Sequence, residues 1–194
     1  MEHLDYLVAG ALGLALAASS GFRVFVPLLA ANVAYLLGFM APSAGFEWLG
    51  TWPAFGVLAT ATLAEMLAYY VPVIDNLLDT ITTPASFIAG TLLMTSALPD
   101  LDPMVRWGLG ILVGGGTAGM VQSGTALLRV GSTATTAGFG NPILATVENF
   151  LAIVGSVLGL LLPLVVAGLV IVLLLYLVGR FRRLIFRRSP PTTP

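Results

Sequence analysis

The chain of 194 residues contains no cysteine and no lysine, and only 9% of its residues are charged. The missing cysteine excludes disulfide staples, thiolate metal sites and thiol nucleophiles. A single histidine, His3, leaves no histidine cluster and no serine–histidine pair. No catalytic residue and no cofactor is therefore expected, and the chain reads as something other than an enzyme. The scarcity of charge also excludes an ordinary soluble domain, in which roughly 25% of residues are charged. No basic surface suited to nucleic acid is present either.

What remains is 58% apolar with a mean hydropathy of +1.00, the composition of a chain that partners the lipid bilayer. Apolar segments fall at Tyr6 to Ala18, Phe22 to Met40, Pro53 to Val71, Pro84 to Leu98, Val105 to Leu128, Pro142 to Leu162 and Leu164 to Val178. These about six to seven segments predict an all-α, polytopic helical membrane protein with interrupted or re-entrant helices. A single integral membrane domain covers residues 1–188, and the proline-rich residues 189–194 read as a disordered tail. Glu2 and Asp5 stand where a signal peptide needs positive charge, so the first segment is not read as a cleaved leader.

The near-neutral net charge of −1 hides a strong asymmetry. Arg180, Arg182, Arg183, Arg187 and Arg188 lie in the last fifteen residues, leaving three arginines against nine carboxylates in the body. By the positive-inside rule the C-terminus is cytoplasmic. The same arginines could bind anionic headgroups.

Two breaks divide the apolar pattern. A full span needs about 20 residues, and the thirteen of Tyr6 to Ala18 reach only about 20 Å. With Ser19-Ser20-Gly21 as a break, the first two segments are expected to form a hairpin that dips into the bilayer. Between Arg129 and Pro142 the run Gly131 to Asn141 is uncharged and rich in glycine and hydroxyl side chains. Such a stretch reads as an internal lining loop, because irregular backbone survives at membrane depth only where protein or water satisfies it. The order Ser20-Gly21, Arg23, Pro27, Glu65 is echoed by Ser123-Gly124, Arg129, Pro142, Glu148, which raises an inverted repeat of 6–98 on 105–178, although the spacings differ.

Arg23, Glu65, Arg129 and Glu148 all sit in or beside apolar segments. Each intramembrane charge costs about 2.5 to 3.5 kcal/mol on insertion scales, so four of them ask for a reason. Either each arginine pairs with one glutamate as a structural bridge, or the arginines read an anionic substrate while a glutamate exchanges a proton. Ser20, Gly21, Gln122, Thr135 and Asn141 are candidate polar contacts for the same substrate. Asp75 and Asp79, at i and i+4, form either a solvated acidic face on an interfacial turn or a weak site for a divalent metal. Asp100 and Asp102, between prolines, predict a turn. Trp48, Trp52, Tyr69 and Tyr70 read as interfacial belt residues. Gly114 to Gly116, with Gly119 and Gly124, make a smooth helix suited to close packing, including that of a homodimer.

The order of Ser19-Ser-Gly-Phe-Arg-Val-Phe-Val-Pro27, Glu65, Pro72-Val-Ile-Asp75 with Asp79, and Gly140-Asn-Pro-Ile-Leu-Ala-Thr-Val-Glu148 resembles the domain of unknown function 4126 family over roughly residues 10 to 160. The resemblance implies a small multi-pass protein of a bacterial inner (plasma) membrane and supplies no substrate. Arg23 to Ala30 is also similar to the arginine–proline segment of DedA-type lipid transporters, whose further arginines this chain lacks. The expected function is a carrier or lipid translocase for an anionic small molecule or lipid. A scaffold, or an enzyme acting on lipid headgroups, is the alternative.

Overall fold

The computed structural model describes residues 2–99 and 101–186. Among them every regular element is helical: α1 (Glu2–Ser20), α2 (Phe25–Leu36), a 3₁₀ turn (Glu47–Gly50), α3 (Trp52–Ala68), α4 (Pro72–Ala97), α5 (Pro103–Leu109), a π-helical stretch (Gly110–Gly115), α6 (Gly116–Thr136), α7 (Asn141–Leu161) and α8 (Pro163–Phe186). Arg187, Arg188 and the tail read as disordered lie outside the described residues, as does Asp100. Proline opens α3, α4, α5 and α7 at their first or second position, where its missing N–H costs no hydrogen bond.

Among the described residues four helical segments are long and apolar enough to cross a bilayer: His3–Ser20, Leu77–Ala97, Pro103–Thr136 and Asn141–Leu161. Phe25–Leu36, Trp52–Ala68 and Pro163–Tyr176 are shorter apolar helices, so the protein is a polytopic helical membrane protein with the expected number of apolar segments, some of them with different ends. The first helix is not too short. Its 19 residues extend through the charged N-terminal turn and reach about 28 Å. The short helix is instead α2, whose 12 residues end in a turn where Phe39 N–H bonds Ala34 O and Gly38 takes φ +73°. In α4, Pro84 does not start the helix but sits inside it. One lost donor does not break a helix whose neighbours keep their bonds.

The helix α1 is the hub. Residues 11–21 are all buried, and small side chains such as Ala15, Ala17 and Ser20 let neighbouring helices close in. Leu12 and Leu16 join Val24, Leu28, Leu58 and Leu93 in the apolar core. The glycine-rich face packs inside the chain: a Cβ at Gly90 would come within 2.6 Å of the Gly114 carbonyl oxygen and of Ala118 Cβ. Around this interior the outer surface is apolar, with Leu112, Leu127, Leu161 and Val172 exposed, as contact with lipid requires.

Candidate functional site: a buried charge cluster

Arg23 occupies the four-residue link between α1 and α2, which carries it off the buried C-terminal half of α1 and into the bundle. Its guanidinium is only 1% exposed, and every edge is used. Nη1 donates to Glu148 Oε2 (2.8 Å) and to the Phe22 carbonyl (2.9 Å), Nε to Asn149 Oδ1 (2.6 Å) and Nη2 to the Ala145 carbonyl (3.2 Å). Arg129, equally buried on α6, bonds Asp79 through Nη1 and the same Glu148 Oε2 through Nη2. Both guanidiniums lie on one aromatic ring, with Tyr69 centred 3.9 Å from Arg23 Cζ and 4.4 Å from Arg129 Cζ. The π face and the shared carboxylate together offset two like charges held in low dielectric.

The surrounding shell is polar and connected. Tyr69 donates to Asp79 Oδ1 (3.1 Å) and lies 2.8 Å from Thr82 Oγ1, and Gln122 Nε2 donates to Thr82 (3.1 Å). On the other side Asn149 Nδ2 donates to Tyr70 Oη, which meets the exposed Thr146 hydroxyl at 3.1 Å. Two stripes account for the convergence: Asp75, Asp79, Thr82 and Ser86 on one face of α4, and Asn141, Glu148, Asn149 and Ser156 on one face of α7, all buried or half-buried.

Several expectations change. The arginines and glutamates do not pair one to one, because Glu148 takes both arginines. Glu65 instead accepts from the backbone N–H of Val24 (2.8 Å) and Phe25 (3.0 Å), where the first turn of α2 has no intrahelical partners. Asp75 and Asp79 are not a solvated interfacial face: Asp75 is fully buried against Asn141, and Asp79 is the second partner of Arg129. Tyr69 is 2% exposed and belongs to the cluster, whereas Trp48 and Trp52 are exposed. Asp102 does form a turn, accepting from Met104 N–H as the N-cap of α5.

The internal loop from Gly131 to Asn141 shrinks to a turn. Helix α6 continues to Thr136, with the Thr135 and Thr136 hydroxyls bonded back to the Gly131 and Ser132 carbonyls one turn earlier. Thr135 is therefore exposed and outside the cluster, and Phe139 is 87% exposed. Ser20 donates to the Ala17 carbonyl, and Gly21 sits against Ala118 and Val121, so both serve the close packing of α1 rather than the cluster. Gln122 and Asn141 are buried beside Asp79 and Asp75 respectively. Among the described residues no group of three histidine, cysteine or carboxylate side chains has the spacing to hold a metal. Tyr69, Thr82 and Asn149 were not anticipated in the cluster.

The fold and this core define a polytopic helical membrane protein built around an Arg–Glu–Arg bridge. The chain belongs to the family described as Domain of unknown function (DUF4126), whose model matches residues 11–183. No curated protein and no solved structure matches it.

Proposed function

We propose that the protein is a small proton-linked carrier or lipid translocase for an anionic small molecule or lipid, with Arg23 and Arg129 as the anion-reading pair and Glu148 as the exchangeable carboxylate. The observation that supports this is the single oxygen, Glu148 Oε2, on which both guanidiniums converge. Glu148 stands where a substrate oxyanion would bind. A proton on Glu148 removes the negative charge that holds the two arginines and frees both for an incoming anion. Loss of that proton restores the internal carboxylate as a competitor and drives the anion off. Each cycle then moves one proton with one negative charge. The charged groups around Glu148 are Arg23 from the α1–α2 link, Glu65 from α3, Asp79 from α4 and Arg129 from α6. Glu65 is already committed to the α2 backbone, so coupling falls to Glu148 rather than to either glutamate.

Proteoliposomes offered inorganic phosphate, a four-carbon dicarboxylate and fluorescent phosphatidylglycerol in parallel test this reading. At least one should move faster under an imposed pH gradient, and Glu148→Gln should remove the acceleration while the protein stays inserted and folded. Movement of none, or unchanged acceleration in the variant, sinks it. The dense pairing of both arginines favours one competing reading, a scaffold in which the bridge is only structural. Neutralising one charge of each sign, Arg23→Gln with Glu148→Gln, leaves the Arg129–Asp79 pair in place and separates the two: a scaffold that stays inserted and folded keeps its function, and a substrate-reading arginine pair does not.

A further inference from the structure

We propose that the contact between Tyr70 and Thr146 is a lateral doorway, through which the phosphate of an anionic glycerophospholipid passes from the surrounding bilayer to the arginine pair. The inference rests on the reading of Arg23 and Arg129 as anion readers, and adds to it the class of substrate and the way in. A run of hydrogen bonds with one direction leads from the cluster to the surface. Arg23 Nε donates to Asn149 Oδ1 (2.6 Å), Asn149 Nδ2 to Tyr70 Oη (3.3 Å), and the Thr146 hydroxyl to the Pro142 carbonyl (2.8 Å). Because the Thr146 proton is committed to Pro142, Tyr70 is the donor in its 3.1 Å contact with Thr146. Tyr70 is 41% exposed and Thr146 is exposed, so along this chain Asn149 alone stands between the buried Arg23 guanidinium and an exposed tyrosine.

The cluster itself has a donor left for an anion. Arg129 is 1% exposed and its Nε is buried without a hydrogen-bond partner, although an unpaired guanidinium N–H is costly to bury. Nε and Nη2 make up the side-on fork of a guanidinium, and Nη2 is held by the same Glu148 oxygen that Arg23 uses. The fork is half filled. A phosphodiester carries two anionic oxygens, and arginine takes phosphate through both arms of such a fork.

The surroundings of the doorway select a lipid over a soluble anion. Ile143, Val147 and Phe150 share the exposed face of α7 with Thr146, and the exposed Leu67 and Val71 are close to Tyr70 in the chain. Acyl tails cover a surface of this kind. A lipid presents its headgroup there while its tails stay in place, whereas a water-borne anion has to cross the tails. Depth agrees with this. Thr146 lies early in the span Asn141–Leu161, about 7 to 8 Å along the axis from its start and about 22 Å from its end, so the headgroups of one leaflet are near. Glu148 is only about 3 Å further in. Basic pockets between transmembrane helices hold anionic headgroups in this way.

Binding, and not transport, tests the doorway. The full chain, purified in detergent, is offered phosphatidylglycerol or phosphatidylcholine with identical acyl chains, and the fraction carrying a bound lipid is read by native mass spectrometry. Wild type should prefer phosphatidylglycerol by about tenfold, the worth of one charge-assisted hydrogen bond. Thr146→Trp, which fills the doorway from the lipid side, should erase that preference. Tyr70→Phe, which keeps the ring and loses the hydroxyl, should weaken it by about threefold to tenfold and covers the case in which the tryptophan variant does not fold. Val157→Trp, three turns further along the exposed face of α7, should leave it unchanged. The C-terminal arginines are present in every sample, so their attraction for anionic lipid cancels. Arg129→Lys keeps the charge, removes the fork and should also erase the preference. Full preference in both Thr146→Trp and Tyr70→Phe, with loss in Arg129→Lys, overturns the doorway and leaves the arginines as anion readers. Full preference in Arg129→Lys places the phosphate outside the cluster and overturns the proposal as well. A wild type that distinguishes neither lipid but is stabilised saturably by inorganic phosphate takes a soluble anion, which overturns the lipid and spares the arginine pair.

Discussion

Arg23 and Arg129 stack on the same Tyr69 ring and bond the same oxygen of Glu148. Residues from the α1–α2 link, the end of α3, α6 and α7 are thereby tied at one point, with Asp79 of α4 joined through Arg129. The ring is therefore as important to the cluster as the carboxylate.

Removing the ring should cost more than removing its hydroxyl. Tyr69→Leu loses two desolvated cation–π contacts, about 2 to 4 kcal/mol in all. Tyr69→Phe keeps both and loses the hydroxyl bonds to Asp79 and Thr82, about 1 to 2 kcal/mol. Thermal unfolding in one detergent should rank wild type above Phe above Leu. Equal destabilisation by the two variants would mean that the ring face contributes nothing.

Much of this is legible in the sequence alone, and the part that is not has identifiable causes. Hydropathy and the absence of charge marked the class, and the cost of intramembrane charge singled out Arg23, Arg129, Glu65 and Glu148, all of which the fold brings into one neighbourhood. Partner choice was not legible, because a charge pattern along the chain does not say which carboxylate lies between two helices. Helix ends misled where local chemistry looked irregular. Pro84 resembled a start, yet α4 tolerates one missing donor. The threonines near Arg129 resembled a loop, yet their hydroxyls bond back to carbonyls one turn earlier and the helix continues. Tyr69 looked interfacial because it was placed at the end of a span, whereas the turn to α4 folds it inward.

Glu65 and Glu148 should separate cleanly by experiment. Glu65 holds the first amides of α2 with both oxygens. Glu65→Gln keeps one acceptor and exchanges a charge-assisted bond for a poor donor-to-donor contact, a loss of about 1.5 to 3 kcal/mol. The variant should melt lower than wild type and still show pH-accelerated transport in proteoliposomes. Loss of that acceleration at an unchanged melting temperature would reassign coupling to Glu65.

Close helix packing makes a further, independent prediction. At Gly90 and Gly114 a new Cβ meets backbone atoms of the facing helix, which cannot rotate away. Gly90→Ala should therefore destabilise by about 1 to 3 kcal/mol. Gly124 has open space around its Cβ position, so Gly124→Ala should be neutral or stabilising by up to about 1 kcal/mol from helix propensity. Chemical denaturation of both variants in mixed micelles checks the contrast. A destabilising Gly124→Ala would indicate that another surface, such as a second copy of the chain, packs on that face.

The bridge itself should show strong non-additivity. Glu148→Met leaves two buried guanidiniums short of a shared partner, and losing one member of a buried ion pair typically costs about 3 to 5 kcal/mol. Arg129→Met alone exposes Asp79 and Glu148 to the complementary penalty. In the double variant the second substitution removes a charge that the first had stranded, so the combined loss should fall below the sum of the singles by about 1 to 3 kcal/mol. Arg23 remains held by Asn149 and the Ala145 and Phe22 carbonyls, and by the Tyr69 face, which keeps the double variant foldable. Additive losses in a double-mutant cycle would show that Glu148 and Arg129 are not energetically paired. The convergence on Oε2 would then be a meeting of neighbours and not the interaction that holds them.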